Sequence, residues 1–165
     1  MTKKLSDFLQ KYINKKSIFK NKKALQSNYT PKNVPYRGEQ INHLAEILAP
    51  SLRMEKPSNV FIFGKTGTGK TLVAKHVTNN ILKIANENKI NLKIVYLNCK
   101  LKKVADTEYR LIAQISREFG QEIPPTGLPT DEVYKIFLQT IDKDKQLLII
   151  ILDEIDQLVT KVGDE

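Results

Sequence analysis

The chain has 165 residues, 41% of them apolar, which suits one domain with a buried core. Its longest unbroken apolar run, Leu147 to Leu152, is far below the roughly 20 residues that cross a bilayer, and no long apolar stretch follows Lys3 and Lys4 as a signal peptide requires. Net charge is +9, with 27 lysines and arginines against 18 acids, and its distribution along the chain is uneven.

Residues 1–33 hold nine lysines against Asp7 alone, so +8 of the +9 sits there and the remainder is nearly neutral. Such an arm either contacts a polyanion, most simply nucleic acid, or is a solvated extension kept soluble by its charge. All nine bases are lysine, which does not support bidentate reading of bases. Within the arm Leu5, Phe8, Leu9, Tyr12 and Ile13 have helical spacing and predict a short amphipathic helix docking on the body. Lys20 to Lys32 carries few apolar residues and reads as a linker.

The second unit, 34–165, opens with Val34-Pro35-Tyr36-Arg37, where Pro35 biases Val34 toward extended backbone. Ile41, Leu44, Ala45 and Leu48 predict a helix that ends near Pro50. Lys56 to Asn59 is a turn, leading into a predicted strand from Val60 to Phe63. Then comes Gly64-Lys65-Thr66-Gly67-Thr68-Gly69-Lys70-Thr71, the G-x-x-x-x-G-K-[ST] phosphate-binding pattern, placed between a strand and a helix as its mechanism demands. The glycines free the backbone to turn its N–H groups around a phosphate at a helix N-terminus. Lys65, Thr66, Gly67, Thr68, Gly69, Lys70, Thr71 and Leu72 are the candidate nucleotide-binding residues. Lys70 reaches the β- and γ-phosphates, and the Thr71 hydroxyl holds Mg²⁺. A Gly/Thr-rich turn with a solvated lysine is the alternative, against which the full pattern in its full context weighs.

The helix that follows runs from Lys70 to about Asn88, and Leu92 to Asn98 is a second strand. Cys99 stands alone, so no intrachain disulfide is possible. That fits a reducing cytoplasm, and its place at a strand end suggests a small core residue. His43 and His76 have no partner at metal-ligand spacing, so no zinc site is expected. Asp106 or Thr107 caps a third helix along Leu111, Ile112, Ile115 and Phe119, with Gly120 at its end. After a loop from Ile123 to Pro129, Thr130 or Asp131 caps a fourth helix with Val133, Tyr134, Phe137 and Ile141 inward. The last strand runs from Leu147 to Leu152.

Helices alternating with strands predict an α/β fold with a parallel sheet between helices. The continuously apolar strands, Val60–Phe63 and Leu147–Leu152, are expected to be buried on both faces. Ligands of such sheets bind at the carboxyl ends of strands, so Asp153 is expected beside the phosphate loop, holding Mg²⁺ directly or through water. Glu154 would polarise the attacking water, making Lys70 and Glu154 the candidate catalytic pair. Asp156 fits a helix cap or salt bridge equally well, and a solvated strand end is the alternative for Asp153-Glu154 alone.

Val34 to Gln40, Lys56 to Thr71, Asp106 to Arg110, Thr126 to Tyr134 and Leu152 to Asp156 resemble the archaeal replication initiators. These are AAA+ ATPases related to the origin recognition complex and the cell-division-cycle helicase loader. The likeness covers about residues 30 to 165. It implies a P-loop NTPase (AAA+) fold, ATP or ADP with Mg²⁺, and slow hydrolysis by the full-length protein. Val34, Pro35, Tyr36 and Arg37 would line the adenine pocket. The stretch from Asp106 to Thr130 would be the initiator-specific helical insertion that approaches DNA, with Arg110, Arg117, Thr126 and Gly127 as candidate contacts. Arg110 and Arg117 share a helical face, and simple solvation of both is the alternative. Implied partners are double-stranded origin DNA, the replicative helicase and other initiator subunits, with no membrane, in the cytoplasm at the nucleoid. Two other readings stand beside this one: a different P-loop ATPase or kinase, or a non-catalytic module that binds DNA or partners.

The sequence departs from the family at its end, just after the acidic motif, without the fourth and fifth strands, lid or winged helix. An N-terminal fragment is therefore expected, one that binds nucleotide weakly and hydrolyses it poorly. Lacking the fourth strand, the phosphate-loop strand and the acidic strand would straddle a gap of roughly 9–10 Å or pair directly.

Overall fold

In the computed structural model of the chain, two aliphatic segments, Leu92–Asn98 (β1) and Leu147–Asp153 (β2), pair in parallel, with Leu92 opposite Leu147 and Asn98 opposite Asp153. The structure describes residues 2–26, 29, 31, 33–100, 107–124 and 126–162. Met1–Asn33 and Val34–Glu165 are two separate units. The first contains the predicted amphipathic helix, α1 (Thr2–Ile13), and a single 3₁₀ turn at Lys22–Leu25 inside the expected linker. The second contains α2 (Gly38–Leu48), α3 (Lys70–Glu87), β1, α4 (Glu108–Glu118), α5 (Thr130–Ile141), β2 and α6 (Asp156–Val162). Among the described residues no helix is long and apolar enough to cross a membrane.

Parallel strands need a crossover, and α4 and α5 lie in the chain between β1 and β2. Side chains of β1 alternate between two cores, as the period of a strand requires. Leu92 and Ile94 join Leu44 and Leu48 of α2 and Val73, Val77, Ile81 and Ala85 of α3. Val95 and Leu97 join Ile112 and Ile115 of α4 and Val133 and Phe137 of α5. The sheet is therefore sandwiched, with α2 and α3 on one face and α4 and α5 on the other. The Tyr134 hydroxyl donates to Glu108 Oε1 and ties α5 to α4, and this bond pushes the phenol's pKa up, with burial adding to it.

Helix ends follow local chemistry. Pro50 stops α2 and starts a 3₁₀ turn, Ala49–Arg53. Of the two residues expected to cap α4, Asp106 lies outside the described residues and Thr107 is the cap, its hydroxyl accepting from the Arg110 N–H at 3.3 Å. Thr107→Ala is expected to lower the unfolding free energy by about 1 kcal/mol. In urea this would appear as a lower midpoint at unchanged slope. At the far end the Gly120 N–H donates to the Arg117 carbonyl at 2.9 Å and the Gln121 N–H to the Ser116 carbonyl at 3.0 Å, closing the helix where Gly120 was expected to end it. For α5 the cap is neither Thr130 nor Asp131. Pro129 holds that position with φ −59° and ψ 146° and no side-chain hydrogen bond. The proline ring presets the direction of the backbone into the helix, and Asp131 and Glu132 in the first turn complement the helix dipole.

Two expectations about strands are corrected. Val60–Phe63 forms no strand: β1 and β2 make up the whole sheet among the described residues, and this segment pairs with neither. A strand exists only where its N–H and C=O groups find a ladder partner, and composition cannot supply one. Phe61 and Phe63 instead stack on each other, ring centroids 6.1 Å apart, both well exposed. Nor is β2 buried on both faces. The core formed with α4 and α5 takes in Leu148 but leaves Ile150 39% and Leu152 36% exposed. The segment before the phosphate loop thus does not pair directly with the acidic strand.

Candidate functional site

Gly67 (φ 79°) and Gly69 (φ 86°) bend the chain through the left-handed region, and no atom stands within 4 Å of where a Cβ would project from either. The bend delivers the backbone into α3, whose first residue is Lys70. The ladder there begins with the Val73 N–H donating to the Gly69 carbonyl at 2.9 Å. The N–H groups of Lys70, Thr71 and Leu72 come before that ladder, at the positive end of an 18-residue helix.

Side-chain donors gather the loop's carbonyls. Lys70 Nζ donates to the carbonyls of Gly64 at 2.9 Å and Lys65 at 3.0 Å. The Thr68 hydroxyl donates to the Lys65 carbonyl at 2.8 Å. Arg37 Nη2 donates to the Thr68 carbonyl at 2.8 Å, joining the turn before α2 to the loop. These bonds hold the Lys70 ammonium against the loop at Gly64 and Lys65.

The second part of the site arrives on β2. The Thr71 hydroxyl lies 3.0 Å from both carboxylate oxygens of Asp153. One hydroxyl and one carboxylate, from segments 82 residues apart, form an all-oxygen set of the kind that suits Mg²⁺. The residues present therefore fit a magnesium-bound nucleotide: N–H groups and Lys70 for phosphates, Thr71 and Asp153 for the ion. Glu154 follows at once, exposed, with φ 57°. A left-handed backbone at a non-glycine residue costs roughly 1–2 kcal/mol. The Glu154 carbonyl accepts from the Gln157 N–H at 3.0 Å, and Asp156 opens α6, where its charge favours the helix start.

A further partner was not among the residues singled out from sequence. The Tyr96 hydroxyl of β1 donates to Asp153 Oδ2. Burial pushes the phenol's pKa up, and the hydrogen bond and negative charge of Asp153 push it further, outweighing the Asn98 hydrogen bond that lowers it. Lys75 Nζ sits 4.1 Å from the centre of the Tyr96 ring. The available signal was the lone polar-tipped side chain among Ile94, Val95 and Leu97, on the same strand parity as Ile94 and Asn98.

The other sequence candidates lie as follows. Val34 is half-buried, while Pro35 and Tyr36 are exposed, Tyr36 at 99% with φ 61°. Arg110 is half-buried on α4. Arg117 is exposed there, its guanidinium donating to Gln114 Oε1 at 3.4 Å and the Ile123 carbonyl at 3.5 Å. Thr126 and Gly127 are exposed in the loop before α5.

Comparison with known proteins bears on the whole of this arrangement. A family model for the AAA domain matches residues 53–165. An ORC1-type DNA replication protein of Thermococcus kodakarensis is 47% identical over 98% of this chain and 39% of its own length, so the chain spans well under half of that relative. The Aeropyrum pernix ORC1 protein, solved in complex with DNA, superposes with a TM-score of 0.82 at 37% identity, over 90% of this chain and 38% of that one. The Aeropyrum pernix ORC2 protein, solved as ADPNP-ADP complexes, does so with a TM-score of 0.69 at 25% identity, over 87% of this chain and 37% of that one. The sequence match, the sandwiched parallel strands and the loop-to-helix geometry agree, and the chain belongs to the AAA family of P-loop NTPases, alongside the ORC1-type DNA replication proteins.

Proposed function

We propose that the chain is the nucleotide-binding part of a replication initiator that uses ATP to control its hold on origin DNA and its recruitment of the replicative helicase and other initiator subunits. The observation that carries this reading is the approach of Thr71 to Asp153, which brings the phosphate loop and the acidic strand to one point. In this reading the loop from Lys65 to Leu72 wraps the phosphates, Lys70 neutralises the β- and γ-phosphates, and Thr71 and Asp153 hold Mg²⁺. Bound Mg²⁺ supplies charge neutralisation across the phosphate oxygens. Glu154 orients the attacking water, and its exposed position at the mouth of the strand suits that task. Val34, Pro35, Tyr36 and Arg37 line the adenine side, and the bond from Arg37 to the Thr68 carbonyl supports a location beside the loop.

DNA contact is proposed for Arg110, Arg117, Thr126 and Gly127, and for the lysine-rich arm. The DNA-bound state of the Aeropyrum pernix ORC1 protein supports it. The action is placed at the chromosome, in the cytoplasm. Titration with ATP, with and without Mg²⁺, followed by titration with labelled duplex DNA, tests the reading. Binding of both is expected. Nucleotide binding with phosphate transfer to a small acceptor would favour a kinase instead, and DNA binding without nucleotide would leave a non-catalytic module. The arm has its own signature: removing residues 1–33 is expected to flatten the salt dependence of duplex binding. The log–log slope should fall by about 0.9 for each phosphate that the arm neutralises in the intact chain. An unchanged slope would assign the arm to solvation.

A further inference from the structure

We propose that Tyr96 is a positioning residue for the metal-holding carboxylate: its hydroxyl pins Asp153 Oδ2 and leaves Oδ1 to face the ion. This rests on the reading of Thr71 and Asp153 as the Mg²⁺ pair.

Two hydroxyls reach Asp153, and they differ in what else each must do. The Thr71 hydroxyl sits at equal distance, 3.0 Å, from both Asp153 oxygens, so by itself it does not choose between them. A hydroxyl has one proton and two lone pairs. To serve a metal, Thr71 offers a lone pair to it while its one proton stays with the carboxylate, so both roles are compatible but the choice of carboxylate oxygen is left open. Tyr96 makes that choice. It donates to Oδ2 only, and from β1 rather than from the phosphate-loop helix. Oδ1 is then the oxygen with lone pairs to spare.

The surroundings hold Tyr96 to that task. Tyr96 stands opposite Ile151 in the parallel ladder, two residues before the level of Asp153, and its parity puts it on the face covered by α3. From that helix Lys75 lies against the ring, 4.1 Å from its centre, a cation–π contact that limits ring motion. Lys75 is one turn after Thr71, so the two residues share a helix face. Thr71, Lys75, Tyr96 and Asp153 thus close a ring drawn from α3, β1 and β2, in which Tyr96 joins the carboxylate to the cation. Groups that orient a metal ligand in this way are needed for affinity although they never touch the ion.

Tyr96→Phe removes the hydroxyl and keeps the ring. The affinity of the chain for an ATP analogue is measured in Mg²⁺ and again in excess chelator, and Mn²⁺ binding to the nucleotide-loaded chain is followed by electron paramagnetic resonance. The variant is expected to keep its metal-free affinity within about twofold while its metal-dependent gain and Mn²⁺ affinity fall about tenfold. Each gain is a ratio within one sample, so a smaller folded fraction cancels. In an Asp153→Asn background the same substitution should add nothing, as a shared pathway requires. A wild-type metal-dependent gain in Tyr96→Phe overturns the proposal, and so does an equal loss with and without metal, which is what a merely structural tyrosine gives. If the unaltered chain binds no nucleotide under either condition, the parent reading falls and this one with it.

Discussion

Lys70→Ala is expected to weaken Mg²⁺-dependent ATP binding by about 2–4 kcal/mol, the loss typical when one partner of a desolvated charge pair is removed. By calorimetry or fluorescence this would appear as a fall in affinity of about 30- to 1,000-fold. Lys70 is half-buried as the first residue of α3, and its ammonium already lies inside the loop against the carbonyls of Gly64 and Lys65. Phosphate oxygens offer it full negative charge where those carbonyls offer partial charge, so the ammonium gains on exchange. Alanine removes this attraction but leaves the N–H groups at the start of the helix. Residual weak binding is therefore expected rather than none. Lys83→Ala is the control: it lies far along the same helix in an exposed pair with Glu87 at 3.8 Å and is expected to change affinity by less than about twofold. Equal affinities for Lys70→Ala and the unaltered chain would remove the basis for the nucleotide site.

The largest stability effect is expected at Phe137. Its ring, 8% exposed, packs with Val133, Ile112, Ile115, Val95 and Leu97 where α5 and α4 meet the sheet. Val133 and Phe137 lie one turn apart on the buried face of α5, and Val133 is fully buried. Phe137→Ala removes most of a ring's buried area and leaves a void that neighbours from three elements cannot all fill. A loss of about 3–5 kcal/mol is expected. Set against typical domain stabilities of about 5–15 kcal/mol, that is a substantial fraction of the total. Chemical denaturation followed by far-ultraviolet circular dichroism measures it. The adjacent Leu138 is 51% exposed, and its replacement by alanine is expected to change stability by less than about 0.5 kcal/mol. Similar losses at the two positions would mean that α5 does not present this face to the sheet.

What the sequence revealed and what it concealed divide along physical lines. Local signals were enough for helix starts. The helices from Lys70 and from Glu108 begin where a glycine-rich loop and a capping threonine place them. The aliphatic runs Leu92–Asn98 and Leu147–Asp153 became strands because they found each other. Val60–Phe63 is wholly apolar, but among the described residues it has no ladder partner, and it is no strand. The meeting of Thr71 with Asp153 was legible because a phosphate loop and an acidic strand end carry mutually required chemistry. Tyr96 was not, since its role appears only once β1 and β2 are in register. Pro129 shows a smaller case: the search for a capping oxygen passed over a residue that starts α5 through its ring geometry alone.

The alternation along β1 has a consequence for how the chain can vary. Leu92 and Ile94 serve one core, Val95 and Leu97 the other, and Tyr96 shares the parity of the first pair. Aliphatic residues can be exchanged within each set at modest cost in packing, but the number of residues in the strand is fixed. A single deletion ahead of Leu92 would trade every inward side chain for its neighbour, carrying both hydrophobic sets to the wrong helices and swinging the tyrosine to the far side of the sheet, away from Asp153.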